Sequence, residues 1–369
     1  MHFGLDESQT LLRDTVRSFF DTTLDGFRRR ELIDSPDGHD PVLWRRMAGE
    51  LGLHGLAVPE HLGGQGSSFF ELTVAVHEAG RVLLTGPFLA SAVLAGSCLA
   101  YAGAEEHLAG VADGSTIATL AVADPDGGWE PNHWGSGVTA RTTADGIRLS
   151  GTSGHVLDGG LADLLVVAAR GAEGLGLYVV RGAEPGVRPL ELPVLDRTRR
   201  MATVEFDDAW AEPLGDPGEA EHVLARTRNA ANAALAAEAA GGIARCLEMS
   251  VAYASTRTQF GRPIGGFQAV KHLCADMYVA AETALSAAWY AAWCVATDAP
   301  DATIAASLAR AHTADAYTRV AADTIQVHGG IGFTWEHDAH LYYRRARFTA
   351  HHMGSAGRHR ERVLAGLGL

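Results

Sequence analysis

Residues 255–272 read STRTQFGRPIGGFQAVKH, a short turn set between two long Ala-rich runs. Arg257 and Phe260, three apart, precede a Gly-Arg-Pro turn, and Phe267, Gln268 and Lys271 open the next run. Such a turn can set a guanidinium and an amide beside a diphosphate and an adenine, because Arg makes bidentate contacts to phosphate oxygens. The same residues would also serve an ordinary inter-helix turn with a surface Arg. The flanking pattern settles the local fold. Roughly 219–257, 266–297, 301–328 and 336–351 are Ala-rich and apolar around much of their circumference, as neighbouring helices in a bundle must be. Small residues such as Ala237, Ala240 and Gly241 permit close helix approach.

Upstream the pattern changes twice. Between about 115 and 212, β-type runs such as TIATLAV, GIRLSG, LLVVAA, LGLYVV and ATVEF alternate with Gly, Pro and Asp at the spacing of antiparallel strands. A small β-barrel, or a sandwich of similar size, is expected there. Before it, Leu11, Leu12, Val16, Phe19 and Phe20 recur at helical steps, and Trp44, Met47, Leu51 and Leu53 form a second such segment. The fold class is therefore α+β: an N-terminal helical domain over 1–112, a middle β-barrel domain over 113–218 and a C-terminal four-helix bundle over 219–369.

Composition narrows the function. The chain has 369 residues, of which 47% are apolar, enough for a large core. A net charge of −14, with only short Arg clusters at 28–30 and 344–347, offers no groove for tracking phosphates, so nucleic acid is not expected as a partner. Cys98, Cys246, Cys274 and Cys294 form no CxxC pair, and the opening MHFGLDESQT lacks the basic and apolar run of a signal peptide, so a cytoplasmic location is expected. The uncharged stretch Val82–Ala104 imitates a membrane span, but its Gly, Ser and Pro residues fit a buried helix starting near Pro87, and no membrane association is expected.

About 70 residues beyond the first turn, residues 325–347 read IQVHGGIGFTWEHDAHLYYRRAR. Gly329, Gly330 and Gly332 remove side chains where a helix ends, letting backbone approach a ligand, and Gln326 stands one turn earlier. In this order, after a β block, the two stretches resemble the acyl-CoA dehydrogenase family of flavoproteins. LAVPEHLGGQG near residue 56 and TRRMATVEFDDA at 198–209 extend the resemblance along the chain. It implies FAD across a subunit interface of a dimer or tetramer. Arg257, Phe260 and Gln268 would hold the ADP half of one FAD, and Gln326, Gly329 and Gly330 would reach that of its neighbour. The family's flavin-covering segments fall on LAVADPDGGWE (120–130) and HVL, so that Ala123 replaces a Thr, while His155 and Leu157 replace an aromatic and a hydroxyl residue. Backbone at these positions can still meet the ring.

Desaturating an acyl thioester removes an α-proton as a β-hydride leaves for flavin, and the family uses a Glu as the base, its pKa raised in an apolar site. That Glu most often opens an EGT triplet 24 residues beyond the first Gly of the pair; here the triplet is Met353-Gly354-Ser355, with Ser355 counted among the expected cofactor contacts. A second branch places it early in the first bundle helix, at Ala231. The catalytic base is therefore unknown from sequence. Glu238, seven residues past Ala231, shares its helical face but lies roughly 10 Å deeper at 1.5 Å per residue. His351 and His352 precede the triplet, and the Glu336, His337 and His340 cluster lacks the HExxH spacing of zinc. Arg228 reads as a solvated Arg near the start of the first bundle helix.

Three functions follow from the resemblance. The first is an FAD-dependent acyl-CoA dehydrogenase acting on an acyl-CoA or carrier-protein thioester. The second is an FAD-holding, non-catalytic subunit beside a Glu-bearing homologous subunit. The third is a flavin oxidase or monooxygenase on the same scaffold. The acyl group and the electron acceptor are not encoded legibly.

Overall fold

The computed structural model describes residues 4–215 and 217–369. Helices α1 (Glu7–Thr23), α2 (Gly26–Asp34), α3 (Pro41–Gly49) and α4 (Phe69–Arg81) come first, and α5 (Gly96–Tyr101) and α6 (Glu105–Ala112) follow. The uncharged stretch is a buried π-helical run, Leu89–Ala95, leading into α5. Among the described residues no helix is long and apolar enough to cross a membrane. Strands β1 (Ala118–Ala121), β2 (Val138–Thr143), β3 (Gly146–Leu157), β4 (Leu164–Gly171), β5 (Gly174–Arg181), β6 (Val187–Glu191) and β7 (Met201–Leu214) make the middle block. Five helices end the chain: α7 (Ala220–Thr256), α8 (Gln268–Ala296), α9 (Ala302–His328), α10 (Ala339–His351) and α11 (Ala356–Gly366).

Contacts sort these elements into two compact units rather than three consecutive blocks. One comprises Met1–Arg30, Thr73–Leu84 and Asn232–Leu369; the other comprises Glu31–Leu72 and Thr85–Ala231. The N-terminal helices are thus shared out according to their partners. In the second unit Trp44 Nε1 donates to the Gly114 carbonyl at 2.8 Å, and Ser91 Oγ accepts from Ala118 N at 3.0 Å, fastening helical segments to the strands.

The sheet closes on itself: β4 pairs with β5, β5 with β7, β7 with β3, β3 with β2, and β2 returns to β4 through Thr139 and Arg170. Closure encloses Val138, Leu149, Leu165, Val167, Val180, Val204 and Phe206, while β1 on β4 and β6 on β7 are paired on one side. The all-antiparallel expectation needs correction, since β1 runs parallel to β4 from Ala118 opposite Leu164 to Ala121 opposite Val167. Segments separated by two intervening strands need not reverse direction.

In the first unit α9 packs against α8, α10 and α11. The N-terminal helix α1 is stopped at its start by a capping box between Asp6 and Gln9, and Arg17 forks onto the buried Glu78 of α4 with both N···O distances at 2.9 Å. Where α4 crosses α7 the backbones touch. A Cβ added at Gly241 would stand 1.9 Å from the His77 carbonyl oxygen, and one at Gly80 would stand 2.1 Å from that of Glu238. Two glycines, one on each helix, therefore set the separation. Gly241→Val should force these helices apart and destabilise the protein by about 1–3 kcal/mol, the usual cost of overpacking. Thermal unfolding of the variant with an unchanged melting temperature would contradict this account.

Candidate functional site

The Arg turn lies at the C-terminal end of α7. Its backbone is anchored by Arg257 N donating to the Tyr253 carbonyl at 2.8 Å and by Ile264 N donating to the Arg257 carbonyl at 2.8 Å. Thr258–Gln259 and Arg262–Pro263 pair as a two-stranded hairpin. At its tip Phe260 has φ +52° and is 90% exposed, meeting only the edge of Phe267 at 6.1 Å. Arg262 lies over the Phe267 ring at 4.2 Å, while Arg257 and Gln268 are exposed. An apolar ring held in left-handed backbone and pointed away from the protein is a costly arrangement that suits a ligand or a second chain.

The glycine turn closes α9. Gly329 has φ +62° and ψ −139°, a conformation open essentially to glycine, and its N–H bonds back to the last helical carbonyls. A Cβ at Gly329 or Gly330 would meet nothing within 4 Å, whereas one at Gly332 would collide with His328 at 2.9 Å. The first two glycines therefore face open space and the third serves packing. Gln326 is exposed beside them. Because α8 and α9 are neighbours joined by a short turn, the start of α8 and the end of α9 share one end of the bundle. Tyr253 of α7 stacks on His328 of α9 with centroids 4.5 Å apart, which brings the Arg turn and the glycine turn together. Two guanidinium and amide donors beside a side-chain-free backbone fit a diphosphate and a nucleobase.

The Met353 corner is a tight turn between α10 and α11. Met353 is 2% exposed with φ +60°, Gly354 follows at φ +112°, and Ser355 caps α11 by accepting from Arg358 N at 3.4 Å. His352 is buried against Phe348, centroids 4.8 Å apart, while His351 is exposed and lies 3.1 Å from Arg347. Beneath the turn Arg310 is fully buried and its Nη2 donates to the carbonyls of Thr349 and, at 2.9 Å, His352. Burial pushes this guanidinium down to about 10, with Glu238 pulling it back up. Sequence reasoning missed Arg310, since an Arg within an Ala-rich helix gives no sign of facing inward.

Both positions expected for a base are apolar and buried, Met353 at 2% and Ala231 at 0% exposure. Glu238, the acidic substitute suggested by sequence, is 3% exposed and its Oε1 takes Arg345 Nη1 at 3.1 Å in the bundle interior. It is engaged in a buried ion pair. His337 stacks on His328 at 4.1 Å and His340 meets Trp335 at 4.6 Å, while Glu336 is exposed.

The remaining expected contacts lie in the barrel unit, where the segments of Ala123 and 155–157 are stitched together. Ser153 Oγ donates to the Ala123 carbonyl at 2.9 Å, Gly154 N donates to the Asp124 carbonyl at 3.1 Å, and Thr119 Oγ1 donates to the Leu157 carbonyl at 2.5 Å. Ala123 and Leu157 are buried. Between Ser153 and Val156 the register with β7 shifts, and inside this bulge His155 adopts φ +51° and stays exposed. Burial opposes ionisation of Asp124, but the Gly128 N–H and the His133 ring hold it below the usual carboxylate range. Ser153 and Thr119 were not singled out from sequence; a hydroxyl within a strand carries no marker of its partner. Arg228 also departs from expectation, since it is half-buried with its guanidinium 5.4 Å from the Trp134 ring centroid.

A family model described as the acyl-CoA dehydrogenase N-terminal domain matches residues 6–111, and one described as the C-terminal domain matches residues 222–368. The acyl-CoA dehydrogenase IpdE2 of Mycobacterium tuberculosis is 36% identical over 346 residues, covering 93% of this chain and 92% of that protein. The solved ChsE4–ChsE5 complex from Mycobacterium tuberculosis superposes with a TM-score of 0.90 at 30% identity, covering 100% of this chain and 99% of that one. The Tcur3481–Tcur3483 steroid ACAD does so with a TM-score of 0.87 at 31% identity, covering 98% of each chain. Helical region, closed barrel and terminal bundle together define a flavoprotein oxidoreductase scaffold. The chain belongs to the acyl-CoA dehydrogenase family.

If Glu238 serves structure, Glu238→Gln should destabilise the protein by about 3–5 kcal/mol by leaving Arg345 charged and unpaired in the core. Arg345→Met in the same chain should recover much of that loss. Urea unfolding of the two single variants and the double variant measures both terms, and a fully stable Glu238→Gln protein would refute the assignment.

Proposed function

We propose that this chain is the FAD-holding subunit of a heteromeric acyl-CoA dehydrogenase, and that a homologous partner chain carries the carboxylate that removes the α-proton of the acyl thioester. The observation that carries this reading is the Met353 corner: the turn keeps its left-handed backbone and its capping Ser355, yet presents a buried thioether where the base should stand. A thioether cannot accept the proton. The alternative Ala231 position has no acid either, and Glu238 is neutralised by Arg345.

In this reading Arg257 and Gln268 contact the diphosphate and adenine of one FAD, and Phe260 of the exposed hairpin covers its ADP half. Gln326, Gly329 and Gly330 approach the ADP half of a second FAD held mainly by the partner. Ala123, His155 and Leu157 line the ring through main-chain groups, their positions fixed by the Ser153 and Thr119 hydroxyls. Bound FAD supplies the hydride acceptor of the desaturation. The similar structures ChsE4–ChsE5, a complex, and Tcur3481–Tcur3483, a steroid ACAD, support a two-chain assembly, and the latter supports testing bulky steroid thioesters as well as simple acyl-CoAs.

Expressed alone, the chain should not bleach its flavin absorption on addition of acyl-CoA. Co-expressed with a Glu-bearing homologue of similar length, it should co-purify as a yellow complex that bleaches, and replacing the partner's Glu with Gln should abolish bleaching while FAD is retained. Full bleaching by the isolated chain would overturn the heteromer reading and return the base to this chain.

A further inference from the structure

The end of α9 carries a feature that the dinucleotide reading does not use. His328, the last residue of the helix, is 4% exposed and stacks on two rings: Tyr253 at 4.5 Å with planes inclined 29°, and His337 at 4.1 Å inclined 40°. The imidazole is thus in ring contact with one residue of α7 and with one from the segment before α10. Its Nδ1 lies 2.7 Å from the Thr324 carbonyl, which can only accept, so Nδ1 carries the proton and the neutral ring leaves Nε2 bare. Tyr253 in turn accepts the Arg257 N–H on its carbonyl, and His328 is bonded directly to Gly329. The three-ring stack thus joins the two turns expected to hold FAD.

We propose that the His328–His337 stack is a positioning latch for the Arg257 and Gly329 turns, and that charging it with acid opens the latch and loosens the dinucleotide; this rests on the FAD reading above. The groups around the stack favour the neutral state. Burial is the main cause holding both imidazoles below their ordinary range, opposed at His328 by the Thr324 bond. At His337, His328 itself, Arg30 of α2 and Arg245 of α7 add to the effect, and Asp338 opposes it. Asp338 is already engaged by Arg29 and Arg30, each at 2.6 Å, and His340 lies two residues farther along.

The sign follows by linkage. Because the stacked form binds protons less readily than an unstacked one, the stack is intact above the ordinary imidazole range and is lost as pH falls through and below it. An imidazole lying directly on a phosphate would do the reverse, gripping its anion more tightly as it charges.

The test is release of FAD from the purified holoprotein, or from its co-purified complex, followed by recovery of free flavin fluorescence between pH 8 and 5.5. The dissociation constant should rise by about tenfold or more across this range for the native protein. It should rise less steeply than in the native protein for His337→Phe, which keeps a ring against His328 but has one proton fewer to gain, His328 remaining titratable. The native curve decides the sign even if the variant fails to fold: binding that is flat with pH, or that tightens in acid, overturns the latch. So does a His337→Phe protein as acid-sensitive as the native one. A protein that holds no FAD even at pH 8 overturns the cofactor reading itself, an outcome distinct from FAD binding that is indifferent to pH.

Discussion

The buried pair between Glu238 and Arg345 is the constraint around which the bundle unit is organised. Both side chains are almost fully enclosed, at 4% and 1% exposure, and Arg345 also reaches the Leu84 carbonyl at 3.4 Å. One residue comes from α7, one from α10 and the carbonyl from the segment after α4, so a single guanidinium fixes three pieces of chain far apart in sequence. A pair this deep adds little net stability compared with apolar packing, but breaking it leaves a charge in the core. The same level of α7 is where Gly80 rests against the Glu238 carbonyl, so close backbone packing and charge pairing coincide. The carboxylate is thereby tied to a partner inside the bundle.

The corner at Met353 is likewise held by buried contacts. The turn at 351–355 is determined by groups other than the side chain at 353: Arg310 holds the Thr349 and His352 carbonyls from below, Gly354 takes a backbone conformation closed to other residues, and Ser355 starts α11. A non-glycine residue at φ +60° costs about 1–2 kcal/mol, and it is tolerated at Met353 because these contacts over-determine the backbone. The shape of the turn therefore does not depend on which side chain stands at position 353.

The sequence made the bundle legible because its helices bury nearly all of their faces, and long Ala-rich runs bounded by Gly and Pro have few alternatives. The start of α8 at Gln268 and the end of α9 at His328 fall within two residues of the expected limits. Strands were harder. β2, VTARTT, is half exposed and polar, and β6, VRPLE, is mostly exposed and carries Pro189, so neither shows the apolar run that marks β4 and β5. The parallel pairing of β1 with β4 depends on where the chain crosses over, which no local pattern records. At the site, the turns of Arg257 and Gly329 were visible because glycine and arginine spacing is local. The Tyr253, His328 and His337 stack was not, because its rings come from positions 75 and 9 residues apart and each alone looks like an ordinary helix-end aromatic.

The arrangement of the barrel unit bears on what the lost hydroxyls mean. Ala123 and Leu157 bring no hydrogen-bonding side chain to the expected flavin segments, and the main chain there is held by Ser153 on the Ala123 carbonyl and Thr119 on the Leu157 carbonyl. Those two bonds use up carbonyl acceptors that would otherwise need water, and they lie in the closed barrel, where β3 is pinned to β7 on either side of the bulge. The positions of the two segments are thus fixed by the strand pairing and by these two hydroxyls. Of the three expected positions only His155 is exposed, held on the bulge in a left-handed conformation, so a change of side chain there need not disturb the bonds that hold the two segments.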